Sequence, residues 1–166
     1  MERDRWGGPS VMLWGAISWG RRIPPVIFQN NGEGRGRGVT ARRYIDEVLQ
    51  PVVVPFMAGR RHLIFQQDNA KPHTARLTQD FLVQNNIHII DWPAMSPDLN
   101  PIEHLWDEIE RRIHHRHVLP ATLQELSDAV TYEFDNIPRA FIRNLFLSMR
   151  RLCAAVINNN GGHTHY

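Results

Sequence analysis

Two carboxylates, Asp68 and Glu103, are the residues of this chain best placed by type and context to do chemistry. Asp68 follows a short apolar run, Leu63, Ile64 and Phe65, which predicts a strand that ends beside it. Glu103 follows a second apolar run, Ile87 to Ile90, then a proline-rich loop, and falls in the opening turn of a predicted helix. Carboxylate oxygens are the ligands that Mg²⁺ and Mn²⁺ prefer, and a metal pair held by them can clamp the attacking and leaving oxygens of a phosphodiester in an in-line displacement. The chemistry this suggests is phosphoryl transfer. Each acid alone also has a plainer reading: Asp68 as a turn residue capping the helix after Pro72, and Glu103 as an acid facing the positive end of a helix dipole.

The stretches around the two acids are more specific than the acids themselves. QDNAKPHTA contains Asp68, and WPAMSPDLNPIEHLWDEIERR contains Glu103, with 34 residues between the two carboxylates. Together with SVMLWGAIS, GVTARRYIDEVLQPVVVPF and the terminal GGHTHY, in this order and spacing, the chain resembles the DDE transposases of the mariner superfamily, the animal Tc-like branch in particular. The resemblance covers nearly the whole chain. It implies an α/β, ribonuclease H-like fold, with Asp68 and Glu103 as the second and third acidic positions and as ligands of Mg²⁺ or Mn²⁺. It also implies DNA as the partner, cutting and strand joining as the activity, and the nucleus as the location. Asn69, Lys71 and His73 are the residues beside Asp68 that would meet nucleic acid, although Asn69 and His73 read equally as residues that order their own loop.

That family places its first catalytic Asp at the end of the first sheet strand, further upstream of Asp68 than the 67 residues that precede it here. Asp4 is no substitute, because it precedes a Gly-Gly-Pro segment instead of ending a strand. The expectation is a partial catalytic domain over residues 1–166 that lacks its first central strand and any helix-turn-helix recognition domain. Such a chain should be inactive alone and poorly stable unless the missing portion is supplied in trans, or by a homodimer. Loss of a central strand would leave unsatisfied backbone groups and an aggregation-prone edge. Two rival readings are a non-catalytic DNA-binding or interaction module derived from a transposase, and a gene-model relic.

Composition sets the bounds. The 166 residues suffice for one sizeable core, and 42% apolar content supports a globular chain. A net charge of +2 hides a bias, since Lys71 is the lone lysine among 19 basic residues. Arginine's planar fork suits phosphate oxygens, but an Arg-rich solvated surface explains so small a balance equally well. A lone Cys153 excludes an internal disulfide and fits a reducing compartment. No apolar run reaches membrane-spanning length, and the opening Met1-Glu2-Arg3-Asp4-Arg5 does not read as a signal peptide.

The elements that must position the acids follow in order. Val11 to Trp19 and Ile23 to Gln29 predict a hairpin that turns through Gly20, Arg21 and Arg22, with Pro24 and Pro25 blunting the second strand. GEGRGRG reads as a flexible loop whose Arg35 and Arg37 would reach a DNA backbone or simply meet water. Thr40 opens a helix with Tyr44, Ile45, Val48, Leu49, Val52, Val53 and Phe56 on one face, and Pro51 predicts a kink or break near Glu47 to Gln50. Gly59 ends it. Arg60 to Phe65 predicts a short strand, and a single helix then runs from Pro72 to about Asn85 with Leu77, Phe81 and Leu82 inward. Ile87 to Ile90 predicts the last strand. Asn100 and Pro101 start the helix that carries Glu103 on the flank of a stripe made by Ile102, Leu105, Trp106, Ile109 and Ile113. Thr122 and Glu125 form a capping-box pattern ahead of Leu123, Leu126, Val130 and Phe134. Pro138 opens a final helix with Phe141, Leu145, Met149, Leu152 and Val156 inward.

Other clusters read more blandly. His114, His115 and His117, with His163 and His165, lack the Cys and His spacings of a structural zinc site and read as solvated histidines. Asp98, Asp107, Glu108 and Glu110 read as loop and solvated-face acids. Arg139, Arg143, Arg150 and Arg151 form either a DNA-facing strip on the last helix or a charged solvent face.

Overall fold

A computed structural model of the chain describes residues 11–28, 38–92 and 99–158. Arg35, Arg37, most of the glycine-rich loop, the prolines of the WPAMSP loop and the terminal GGHTHY lie outside the described residues. The chain divides into two compact units. One is built from Met12–Trp14 and Val26–Met95, the other from Met1–Val11, Gly15–Pro25 and Ser96–Tyr166. The hairpin, β1 (Met12–Ser18) and β2 (Arg21–Phe28), forms a two-stranded sheet whose residues are divided between the units. Its turn is Trp19–Gly20, with Gly20 at φ +66°, a conformation that favours glycine. Arg21 and Arg22, expected in the turn, instead open β2.

In the first unit a helix follows Thr40, whose hydroxyl accepts a hydrogen bond from the Arg43 amide at 3.2 Å. This helix, α1, comprises Ala41–Tyr44, a π-helical stretch Ile45–Val53, and Val54–Met57. Pro51 therefore does not break the element. The wider π register, seen in the Val54 amide bonding the Leu49 carbonyl, accommodates a residue that has no amide proton and would crowd a normal turn. Tyr44, Ile45, Val48, Leu49 and Val53 are buried here with Phe28, Leu82 and Ile87 as the unit's core.

The two predicted strands of this unit reduce to a single parallel bridge between Phe65 and Ile89, with the Phe65 amide on the His88 carbonyl at 2.8 Å. The single helix expected after Pro72 is two segments, α2 (Lys71–Thr74) and α3 (Arg76–Gln84). Ala75 separates them with an extended ψ of 138°. The Pro72 carbonyl, which a continuous helix would satisfy through Arg76, instead accepts from the Thr78 hydroxyl at 2.6 Å. The break rotates the register: Thr78 is fully buried, whereas Leu77, expected inward, is exposed. The predicted stop at Asn85 and Asn86 is a Schellman arrangement. The Ile87 amide bonds Leu82 O at 2.9 Å, the Asn86 amide bonds Val83 O at 3.0 Å, and Asn86 takes the left-handed φ of 53°.

The second unit is helical around α4 (Pro101–His114), α5 (Leu123–Asn136) and α6 (Arg139–Asn158). Leu105, Ile109 and Ile113 of the predicted stripe are buried together with Val130, Phe134, Ile137, Ile142 and Leu152. Thr122 and Glu125 form the expected capping box, but Leu123 at the first helical position is exposed and Ala129 takes an inward place. Gly15 sits where a side chain has no room: a Cβ there would lie 2.7 Å from the Trp106 ring. The last carbonyls of α5 are met by arginines. Arg22 donates to Asp135 O and Ile137 O, and Arg112 donates to Asn136 O at 3.4 Å, which places positive charge at the negative end of the helix.

Candidate active site

Asp68 stands just past the Phe65 bridge, on the corner that leads into α2. Its side chain is about half exposed, and the partners it has among the described residues fall on one oxygen. Oδ1 accepts from the Ala70 amide at 3.1 Å and meets His73 Nδ1 at 2.6 Å. The His73 hydrogen bond, reinforced by the Ala70 amide and opposed by partial burial, holds the Asp68 carboxyl below the ordinary carboxylate range. Asp68 is therefore an anion at neutral pH, with Oδ2 left to accept a further partner.

The ring that meets Asp68 is itself fixed. His73 packs against Tyr44 with ring centroids 4.4 Å apart, and the Tyr44 hydroxyl donates to Gln67 Oε1 at 3.0 Å. Burial pushes the Tyr44 phenol well above its ordinary range, so it stays neutral. The His73 carbonyl accepts from Gln79 Nε2 at 2.7 Å and from Gln67 Nε2 at 3.4 Å. Asn69 Nδ2 donates to the Trp92 carbonyl at 3.0 Å, tying the Asp68 corner to the segment after the Ile89 bridge. Lys71 opens α2 and is exposed.

Glu103 lies in the other unit, in the first turn of α4, and is partly exposed on the flank of the apolar stripe. Its amide bonds the Asn100 carbonyl at 3.1 Å, and Asn100 Nδ2 donates to its Oε1 at 3.4 Å. Asn100 is buried and caps α4 by position, yet its side chain bonds this carboxylate instead of the helix backbone. The structure thus gathers Asp68, Asn69, Lys71 and His73 on one corner and carries Glu103 on a different element of a different unit. Among the described residues no three His, Cys, Asp or Glu side chains form a metal-binding group. The carboxylate oxygens of Asp68 and Glu103 nevertheless suit Mg²⁺ or Mn²⁺ by donor type.

Sequence reasoning missed Tyr44, Gln67, Thr78 and Gln79 as parts of this corner. Tyr44 was absorbed into the apolar stripe of α1, and the only sequence signal for the others is that polar residues flank Asp68 and interrupt the apolar face of α3.

Residues 2–127 match the family model for the DDE superfamily endonuclease. The chain belongs to the DDE superfamily endonuclease family. Among curated relatives it is 34% identical to the transposable element Tc1 transposase of Caenorhabditis elegans, over 96% of this chain and 56% of that protein. It is 33% identical to the Tcb2 transposase of Caenorhabditis briggsae, over 100% of this chain and 58% of that protein. The chain therefore spans a little over half the length of these relatives. The fold of this DDE family member is the ribonuclease H-like fold of the Mos1 transposase catalytic domain. The catalytic domain solved with raltegravir and Mg superposes with a TM-score of 0.76 at 20% identity, covering 93% of this chain and 77% of that one. The Mos1 mariner paired-end complex with Mn superposes at 0.80 and 20% identity, covering 99% of this chain and 48% of that one.

Proposed function

We propose that this DDE family member is the phosphoryl-transfer portion of a DNA transposase that acts in the nucleus, with Asp68 and Glu103 as two of its catalytic carboxylates. The observation that carries the reading is the Asp68 corner: an ionised carboxylate, fixed through Oδ1 and presenting Oδ2, inside a QDNAKPH segment. The relatives support it, being transposases of transposable elements, and so do the Mos1 structures that hold Mg or Mn and paired transposon ends. Mg²⁺ or Mn²⁺ held by Asp68 and Glu103 would supply charge stabilisation at the reacting phosphate and an activated oxygen nucleophile. Asp68 contributes a fixed anionic oxygen. Glu103 contributes a second, steadied by Asn100. Lys71, exposed at the same corner, is available to a phosphate oxygen of DNA, and Asn69 holds the loop in shape through Trp92.

The test is nicking of supercoiled DNA in Mn²⁺ by this chain and by its Asp68→Asn and Glu103→Gln variants. Loss of nicking in both variants supports the reading. Nicking that survives both substitutions overturns it. A second reading, a non-catalytic DNA-binding module, is favoured by the exposure of Arg139, Arg143, Arg150 and Arg151 on α6, none of which has an ion-pair partner among the described residues. It predicts salt-dependent DNA binding that is indifferent to both acid substitutions and falls when these arginines are replaced.

A further inference from the structure

His73 stands in the resemblance as a residue that would meet nucleic acid, but its surroundings assign it another task. Its side chain is only 18% exposed. One ring edge is spent on Asp68 Oδ1 at 2.6 Å and one face lies against the buried Tyr44 ring. An ionised carboxylate accepts and never donates, so the ring nitrogen facing it carries the proton. The backbone beneath the ring is equally committed. The Pro72 carbonyl is taken by Thr78, and the His73 carbonyl by Gln79 and Gln67, so the one-turn helix α2 is pinned by side chains from both flanks. A residue fixed on so many sides has little freedom to follow a DNA backbone, and it is well suited to fix something else.

We infer that His73 is a positioning residue: held by Tyr44, Gln67 and Gln79, it donates Nδ1–H to Asp68 Oδ1 and so aims Asp68 Oδ2 at a divalent cation, without touching DNA itself. The Ala70 amide on the same oxygen shares the work, so Oδ1 is saturated and the carboxylate cannot turn about its Cβ–Cγ bond without losing both bonds. Orientation of a ligating carboxylate by a hydrogen-bonded neighbour typically contributes a factor of about 10 to 100 in metal affinity. The inference rests on the proposed metal role of Asp68, and its test separates the two.

Mn²⁺ binding to the full chain is measured by the loss of the free-ion electron paramagnetic resonance signal. Wild type is compared with His73→Ala, His73→Asn, Asp68→Asn and the double variant Asp68→Asn/His73→Ala, with circular dichroism melts to show that each is folded. Asparagine places an amide donor near the position of Nδ1 and removes the rest of the ring. The expected result is that His73→Ala weakens Mn²⁺ binding about 10-fold, that His73→Asn recovers most of the loss, and that His73→Ala has no further effect once Asp68 is Asn. DNA affinity and its salt dependence should be unchanged in His73→Ala. A long-range ¹H–¹⁵N spectrum of the metal-free wild type should show one imidazole whose Nδ1 carries a proton, a pattern that Asp68→Asn alters. Unchanged Mn²⁺ affinity in His73→Ala, or a loss that asparagine does not recover, overturns the positioning role while leaving Asp68 as a ligand. A shallower salt dependence of DNA binding in His73→Ala assigns the ring to phosphate and overturns it as well. Absence of any Asp68-dependent Mn²⁺ binding in wild type overturns the metal reading of Asp68, and the role of His73 falls with it even if the tautomer is as expected. A protonated Nε2 with a bare Nδ1 would refute the hydrogen bond directly.

Discussion

The corner that carries Asp68 and the helix that carries Glu103 hold an acid in opposite ways. Asp68 sits where regular structure is scarce: a single bridge, a one-turn helix and an interrupted one, joined by side-chain hydrogen bonds from Thr78, Gln79, Gln67, His73 and Asn69. Glu103 rides on a 14-residue helix, on the flank of a stripe in which Leu105, Ile109 and Ile113 are buried. Polar fixation is directional and sets the orientation of one carboxylate oxygen, whereas apolar packing is non-directional and fixes where a helix lies.

The comparison breaks first where packing is removed. Phe134→Ala deletes a ring that is fully buried and tilted against Trp106 with centroids 5.5 Å apart. It should cost about 3 to 5 kcal/mol in urea unfolding, the largest effect expected here. A cost under about 1 kcal/mol would mean that the α4–α5 packing does not hold Glu103 as described. Next comes Gly15→Ala. The added methyl meets the Trp106 ring at 2.7 Å and should cost about 1 to 3 kcal/mol. A neutral Gly15→Ala would show that the ring moves aside freely.

The polar side of the comparison is probed by Thr78→Val, which keeps the shape and removes the donor to the Pro72 carbonyl. The expected loss is about 1 to 3 kcal/mol, because a buried acceptor is left without its partner. If α2 and α3 merged into one helix instead, the carbonyl would regain a backbone donor and the loss would vanish, with helical circular dichroism rising. A smaller effect, about 1 kcal/mol, is expected for Thr122→Ala at the capping box of α5, read from the same unfolding curves.

The smallest effect is electrostatic. Glu108, hydrogen-bonded by Arg112 at 2.7 Å and Arg111 at 2.8 Å, is held below the ordinary carboxylate range, with Arg112 the larger cause. A carboxyl depressed in the folded state contributes stability that is fully present above its unfolded value and is lost as pH falls through the folded one. Stability should therefore decline on the acid side, and Glu108→Gln should flatten that limb while leaving the neutral plateau slightly lower. An acid limb of unchanged slope in Glu108→Gln would assign the decline to other carboxylates, Asp68 first among them because its carboxyl is depressed by His73.

Much of the scaffold was legible because its signals are local. The hairpin, the capping box at Thr122 and Glu125, the stop at Asn85 and Asn86, and the stripe of Leu105, Ile109 and Ile113 each depend on neighbours a few residues apart. The strands at Arg60 to Phe65 and Ile87 to Ile90 were overread, since an apolar run marks burial and strand pairing needs a partner that periodicity does not supply. The two carboxylates stand out by residue type and by the motifs around them.

By itself, then, the sequence determined the caps at Thr40 and Thr122, the stop at Asn85 and Asn86, the buried stripe of Leu105, Ile109 and Ile113, and the motifs that carry the family resemblance. It also determined a net charge too small to argue for DNA unaided. Only the tertiary structure decided that His73 faces Asp68, that Thr78 and not Leu77 turns inward, that Pro51 is absorbed by a π-helical stretch, and that Gly15 makes room for Trp106. The physical reason is range. Propensity, capping and periodicity act over one or two turns of chain, while the partner of a buried donor or the occupant of a packing space is set by residues tens of positions away, which no local pattern names.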